Sequence, residues 1–412
     1  MERTETSWSW LKGSELRFPT DEGCVIVREE PGRRGPGARC VSSGAVYDLR
    51  RLSAQPPARR CGGLVTLEAL EAVQREVDFA QRAGRHPNVV RCHGVLVQNE
   101  GTMHSQLLLC EPCVTDLAAH IAGGLAVREA SDVGQQLAFG LGHLHSHGIL
   151  YGGFDAAGVL RGGDGLWKLG SFGRCALLPV AASEWLERRE GEMSTPPEAR
   201  SSTDDALKPE ADVWLLGAFL GFLLSARPSG DALALPPQRL ADAQVARLWL
   251  LLHWLLAEAP EARPCAGEAA ALLGALQLTP PQELLAEMPA PAAQRAGRMA
   301  IAAARQAAAE RAKDAEAVAE LAPERLRGLS PEIDRILENC GLDAAFVLDA
   351  SGTSADASAA NAVPAPPAPA AAKATLAGGE VDGFADASTA SGASEDPDCL
   401  RVADSADLLG LG

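Results

Sequence analysis

Aromatic residues are scarce: Phe, Tyr and Trp make up 4% of the 412 residues, and only two are Tyr. A basic excess is missing as well. Lys plus Arg number 37 against 54 Asp plus Glu, a formal charge of −17. This excludes a general nucleic-acid binder, which needs a basic face to neutralise phosphates. It argues equally against adhesion to an anionic membrane. No run of about 18 apolar residues occurs, so no transmembrane helix is expected. The N-terminal MERTETSWSWLKG has no apolar stretch of signal-peptide length, so the expected location is cytoplasmic. Paired metal-ligand cysteines are lacking too. Ten Cys are scattered along the chain, and only Cys110 and Cys113 form a C-x-x-C, without a second pair or a matching His spacing. The expectation is reduced, half-buried thiols and no metal site.

What is present falls into three parts. Residues 1–278 hold all seven Trp and both Tyr and alternate between strand-like and helix-like patterns. GCVIVREE (23–30), AVYDLRRL (45–52) and the short LLLC (107–110) read as strands. PGRRGPGARC between the first two reads as a loop. LEALEAVQREVDFAQRAG (67–84) has apolar residues at three- and four-residue steps and a closing Gly, which predicts a helix. Helices dominate afterwards, at 132–148, 211–224 and 245–259. Strands first and helices second predict an α+β domain of two lobes. Residues 279–341 are Pro- and Ala-rich, and 291–321 are predicted helical by propensity. Their large apolar residues (Met299, Ile301, Val318, Leu321) are too sparse for a coiled-coil seam, so a solvated single helix is expected. Ser330-Pro331 opens a further short helix with Ile333, Ile336 and Leu337 on one face, fit to dock on the preceding domain, and Gly341 closes it. Residues 342–412 carry nine Asp and two Glu against one Lys and one Arg. That is a charge of −9 on an Ala/Ser/Gly/Pro background, expected to be disordered.

The order of motifs in the first part resembles a eukaryotic protein kinase domain. The likeness covers residues 14–278, with an N-lobe of 14–111 and a C-lobe of 112–278, preceded by an extension of residues 1–13. Tyr47-Asp48-Leu49-Arg50 stands where the family has V-A-I-K on strand three. Glu76, in QREV, stands at the helix C glutamate. HPNVV (86–90) matches the turn into strand four, and HLHSHGIL (143–150) leads into the catalytic loop. Ser171-Phe172-Gly173 stands at D-F-G and Pro196-Pro197-Glu198 at A-P-E. Asp212-Val213-Trp214-x-x-Gly217 matches the helix F signature, and Arg263-Pro264 the late arginine that pairs with the A-P-E glutamate. QREV, HPNVV and the long segment 174–195 are most similar to the numb-associated kinases, the adaptor-associated and cyclin-G-associated enzymes.

The chemistry is another matter. Phosphoryl transfer rests on positioning and charge neutralisation around magnesium and the phosphates. The resemblance puts Gly153 at the base position, Asp155 at the lysine that neutralises the phosphate, Gly158 at the metal-binding asparagine and Ser171 at the D-F-G aspartate. The phosphate-clamping lysine is Arg50, a planar fork in place of a point donor. The glycine-rich loop is absent as a motif, with only Gly23 near its expected place. Losing a general base alone costs about 10²–10⁴ in rate, and here several members of one unit are gone together.

The expectation is therefore a catalytically impaired kinase-fold protein, a scaffold or allosteric regulator, with no cofactor required. Its structural residues would be Tyr151, Phe172, Gly173, Glu198, Asp212, Gly217 and Arg263. Two alternatives stand beside it. A divergent serine/threonine kinase would need Asp155 or Asp164 as compensating carboxylates. A nucleotide sensor would hold ATP through Arg50 and Glu76 without turnover. Glu76 reads equally well as a solvated helix residue. His143, His145 and His147 read as ordinary helix-end residues, since no carboxylate or Cys accompanies them at ligand spacing. In the tail, Asp407 with Leu408, Leu409 and Leu411 resembles a clathrin-box peptide. Phe384, flanked by Glu380, Asp382 and Asp386, resembles the acidic-phenylalanine peptides that bind adaptor ears. Protein partners through the C-lobe and the tail are expected, clathrin or adaptor ears among them.

Overall fold

Alternation of buried and exposed residues builds the first lobe. In Glu15–Thr20 (β1), Leu16 and Phe18 are buried while their neighbours face out. Gly23–Pro31 (β2), Pro36–Cys40 (β3), Val46–Ser53 (β4), Cys92–Glu100 (β5) and Met103–Cys110 (β6) join it in one antiparallel sheet of order β1-β2-β3-β4-β6-β5. The period of two sorts side chains to opposite faces. Leu16, Phe18, Val27, Ala38, Leu49, Leu107 and Leu109 form one small core. From the same strands, Leu108 and Cys110 point into the main core. Leu67–Arg82 (α1) packs against β5 and β6, and Gly84, at φ 68°, lets the chain leave it.

The computed structural model describes residues 15–20, 23–53, 67–100, 103–121, 125–187, 194–200, 206–225, 237–276, 278–312 and 318–342. The expected extension 1–13 and the acidic tail, with Phe384, Leu408, Leu409 and Leu411, lie outside them.

The second lobe is helical. It comprises Leu117–His120 (α2), Val127–Ser146 (α3), Ala182–Glu187 (α4), Pro197–Arg200 (α5), Glu210–Ser225 (α6), Pro237–Leu240 (α7), Ala243–Leu255 (α8) and Ala266–Ala275 (α9). Short strands Cys113–Asp116 (β7), Val159–Gly162 (β9) and Trp167–Leu169 (β10) make a three-stranded sheet of order β10-β9-β7, and Ile149–Leu150 (β8) precedes the central loop. Helix α6 is buried almost all round, with Val213, Leu216 and Leu220 fully enclosed. Gly217 lets it approach α8, since a Cβ there would lie 2.9 Å from Leu255 Cβ. No helix among the described residues is long and apolar enough to cross a membrane.

Pro281–Glu287 (α10), Ala290–Arg311 (α11), Pro323–Leu326 (α12) and Pro331–Asn339 (α13) follow. The expectation of a solvated single helix is wrong for α11. Ala292, Ala293, Ala296, Ala300, Ile301, Ala304, Ala307 and Ala308 are buried at three- and four-residue steps. The helix packs on α7, α8 and α13. Propensity rules missed this because alanine side chains add little apolar surface each, yet let helix axes come close. Helix α13 docks as its amphipathic pattern suggests. Ser330 caps it by accepting the Ile333 N–H at 3.3 Å. Ile333, Ile336 and Leu337 are buried, and Asn339 donates to Ala241 O at 3.0 Å.

Two strands of the first lobe's sheet were unexpected. β1 lies in a stretch that carries Pro19, and β3 in the segment read as a loop. Pro36 is tolerated because it opens its strand, where no ladder hydrogen bond is lost inside the sheet. With β3 a strand, the turn joining β2 to β3 is Pro31–Pro36. The glycine-rich connection is thus Gly32-Arg33-Arg34-Gly35-Pro36-Gly37, and Gly23 opens β2 instead.

Candidate functional site

Between the lobes lies a cavity of about 230 Å³, lined among others by Arg34, Asp48, Arg50, Glu111, Cys113, Gly158 and Gly170. Asp48 and Arg50 sit two apart on β4, so both face it, while Leu49 faces the small core. Arg50 Nη1 pairs with Glu76 Oε1 at 2.7 Å and also donates to Gly170 O at 2.7 Å. Glu76 is only 5% exposed, and its Oε2 accepts the Phe172 N–H at 2.9 Å. Glu76 is thus no solvated helix residue. The pair holds β4, α1 and the Ser171-Phe172-Gly173 turn in one fixed arrangement.

The central loop hangs from Asp212 at the start of α6. Its two carboxylate oxygens accept Tyr151 N–H at 2.7 Å and Gly152 N–H at 2.8 Å. His145 Nε2 lies 2.9 Å from the same carboxylate, a role the sequence reading did not assign to it. Gly152 (φ 82°) must be glycine, because a Cβ would fall 2.3 Å from Arg174 O. Tyr151 and Phe172 are both buried, their rings edge to face at 6.5 Å between centroids. Lower down, Glu198 receives both ends of the Arg263 guanidinium at 2.7 Å. The remaining Arg263 donors go to the carbonyls of Ala257, Glu210 and Glu258 at 2.8, 3.0 and 3.0 Å. All five donors of a buried cation are satisfied.

The remaining positions carry small residues or side chains bonded locally. Gly153 has no side chain. Gly158 stands so close to Ser171 that a Cβ on it would lie 2.7 Å from Ser171 Cβ. Asp155 is exposed, and its Oδ1 accepts Ala157 N–H at 3.2 Å in a local turn. Asp164 does not face Ser171 as a compensating carboxylate would need to. It pairs with the buried Lys168 Nζ at 3.0 Å, and Glu111 Oε2 binds the same Nζ at 3.0 Å. Burial works against the Lys168 charge, but its hydrogen bonds to Asp164 and Glu111 prevail and raise its pKa. Glu111 also accepts Arg91 N–H at 2.8 Å. The segment connecting the lobes is therefore clamped by its own side chain, a contact that sequence spacing does not signal.

Cys110 and Cys113 are free thiols. Contact with the Cys92 thiol and burial raise the Cys110 pKa, and burial pushes Cys113 up to about 12. Neither is a ready nucleophile or metal ligand. No group of three or more His, Cys, Asp and Glu able to hold a metal occurs among the described residues.

A β-sheet lobe, a helical lobe, an Arg–Glu pair across the cleft and a loop hung from a buried Asp form one recognisable architecture. The sequence model of the protein kinase domain matches residues 59–232. The fold is that of a protein kinase domain. Among curated proteins the chain is 28% identical over 188 residues to the serine/threonine-protein kinase TAO2 of Rattus norvegicus, covering 44% of this chain and 14% of that protein. It is 29% identical over 218 residues to the human serine/threonine-protein kinase/endoribonuclease IRE2, covering 48% and 22%. It is 28% identical over 235 residues to CBL-interacting protein kinase 20 of Oryza sativa subsp. japonica, covering 50% and 46%. In each case the match spans less than half of the relative's length.

Proposed function

We propose that this kinase-fold protein does not transfer phosphate and acts by holding other proteins, as a scaffold or allosteric regulator. One observation carries the reading: the contact between Gly158 and Ser171. Two metal-binding side chains would have to stand at these positions, and residue 158 lies so close to the Ser171 side chain that even a Cβ there would meet Ser171 Cβ at 2.7 Å. The residues present do not fit a magnesium–nucleotide complex. The base position is Gly153, and the two nearby carboxylates are committed elsewhere, Asp164 to Lys168 and Asp155 to its own turn.

The retained contacts support a folded platform. Asp212, Arg263 with Glu198, and the Tyr151–Phe172 packing all maintain lobe architecture, and α10 to α13 enlarge the helical lobe. The likeness to numb-associated kinases and the binding of clathrin or adaptor ears through Phe384, Leu408, Leu409 and Leu411 belong to this proposal on sequence motifs alone. The test is direct. The full chain, incubated with radiolabelled ATP, magnesium or manganese and a generic protein substrate, is expected to leave substrate and itself unlabelled above a no-enzyme blank. Repeated turnover that is lost in Arg50→Ala would sink the reading.

A further inference from the structure

The cavity between the lobes has an occupant of its own. Asp48 lies on the cleft face of β4, in register with Gly37 of β3 on one side and Cys110 of β6 on the other. Its Oδ2 accepts the Cys113 N–H at 2.9 Å. That N–H belongs to the segment joining the lobes and lies at the wall of the cavity. A heterocyclic base entering a narrow cleft is held by apolar contact on its faces and by backbone donors and acceptors along its edge. Here the Cys113 donor is already used. A base would have to displace the carboxylate, or enter with its own acceptor unmatched, and either course costs a hydrogen bond away from water.

The roof is closed in the same way. The turn between β2 and β3 is pinched, with Gly32 N–H donating to Gly35 O at 2.8 Å. A Cβ on Gly37 would meet Gly32 Cα at 3.0 Å. From this turn Arg34 reaches across to Asp116, the residue that caps α2, at 2.9 Å. Both side chains are only about a quarter exposed, at 26% and 24%. The same guanidinium acts electrostatically on Asp48. The glycine turn, Asp48 and the connecting segment thus form one polar closure. At 230 Å³ the space left is below the roughly 300–1,000 Å³ of small-molecule sites.

We propose that Asp48 is the resident occupant of the base end of this cleft, closing it to adenine and similar heterocycles while Arg34 latches the glycine turn over it through Asp116. The inference rests on the reading above and deepens it, because it states why the cleft takes no nucleotide.

The experiment uses the full-length chain and adenosine as the probe. Adenosine carries no phosphate, so neither charge repulsion by Asp48 nor the absence of metal ligands enters the result. Binding is measured by calorimetry for wild type, Asp48→Ala and Asp48→Asn, with melting curves to establish that each is folded. Asp48→Ala leaves the Cys113 N–H without its partner and opens space beside it. Its adenosine affinity is expected to exceed that of wild type by about tenfold to a hundredfold, the worth of satisfying one buried donor. Asp48→Asn keeps the volume and can still accept from Cys113, so it is expected to bind no better than wild type. Equal adenosine binding by wild type and Asp48→Ala overturns the proposal, as does a folded Asp48→Ala that stays silent. Binding by Asp48→Asn equal to that of Asp48→Ala overturns it too, since a side chain of the same volume, still able to accept from Cys113, would then fail to exclude the base. Phosphotransfer is scored separately: its appearance in wild type would end the scaffold reading whatever the titrations give.

Discussion

His253 should make this protein measurably acid-labile. It sits on α8 with no exposed surface, its ring edge to face against Trp249 at 4.3 Å. Neither ring nitrogen finds a hydrogen-bond partner among the described residues. Burial first, and the nearby Arg295 cation second, push its pKa down to about 3. The unfolded chain has an ordinary histidine near 6.5. A depressed native pKa means the unfolded state binds the extra proton first, so stability is full above about pH 6.5 and falls as pH is lowered towards 3. Between pH 7.5 and pH 5 this one group removes about 2 kcal/mol, a factor of about 30 in the folding equilibrium. At pH 5 the result is almost the same wherever below 4 the native value lies, which makes that pH the informative one. The assay is urea unfolding of wild type, His253→Leu and His253→Gln at both pH values. Other groups add their own pH dependence, so the quantity that counts is the loss in wild type minus the loss in each variant. It should be about 2 kcal/mol for both. A variant whose loss on acidification equals that of wild type would refute the reasoning, because His253 would then titrate in the folded state as it does in the unfolded one.

Other substitutions probe the remaining contacts. Arg263→Met should cost about 3–5 kcal/mol in chemical denaturation, because it strands Glu198 and three carbonyls beside a buried gap. Lys168→Met removes the cation shared by Glu111 and Asp164 and should cost about 2 kcal/mol, with faster amide exchange in residues 110–113 as the local readout. On α11, Ala304→Leu should lower stability by about 1–3 kcal/mol through overpacking, whereas Ala302→Leu on the exposed face should stay within about 0.5 kcal/mol. Equal melting temperatures for the two would mean that α11 does not pack on the helical lobe. A chain ending at residue 278 should aggregate or melt well below the full-length protein, since it exposes the faces of α7 and α8 that α11 and α13 cover.

Local pattern carried much of the architecture. The three- and four-residue apolar steps and closing Gly of 67–84 marked α1, and Ser330-Pro331 with Gly341 marked α13, because caps and amphipathic periods are written in neighbouring residues. The serial order of motifs, from Arg50 through Glu76 and Phe172 to Arg263, was enough for the two-lobed fold. Within that order, the resemblance put Gly153, Gly158 and Ser171 at the positions on which the proposed loss of catalysis rests.

What stayed hidden depended on partners far away in the chain. Strand β3, with its Pro and Gly, is a poor strand by composition and exists because β2 and β4 pair with it on both sides. The alanines of α11 signal no burial until another helix lies against them. Lys168 is an ordinary strand residue until Glu111 and Asp164 converge on it. Asp48 is one substitution beside Arg50 in sequence, and only the 2.9 Å approach of Cys113, 65 residues later, makes it the plug of the cleft. By itself the sequence determined the two lobes and the main helices, since these follow from local periodicity and residue type. Tertiary structure alone decided which polar groups pair across the cleft, because hydrogen bonds and ion pairs act over a few ångströms and depend on where the fold brings distant residues together.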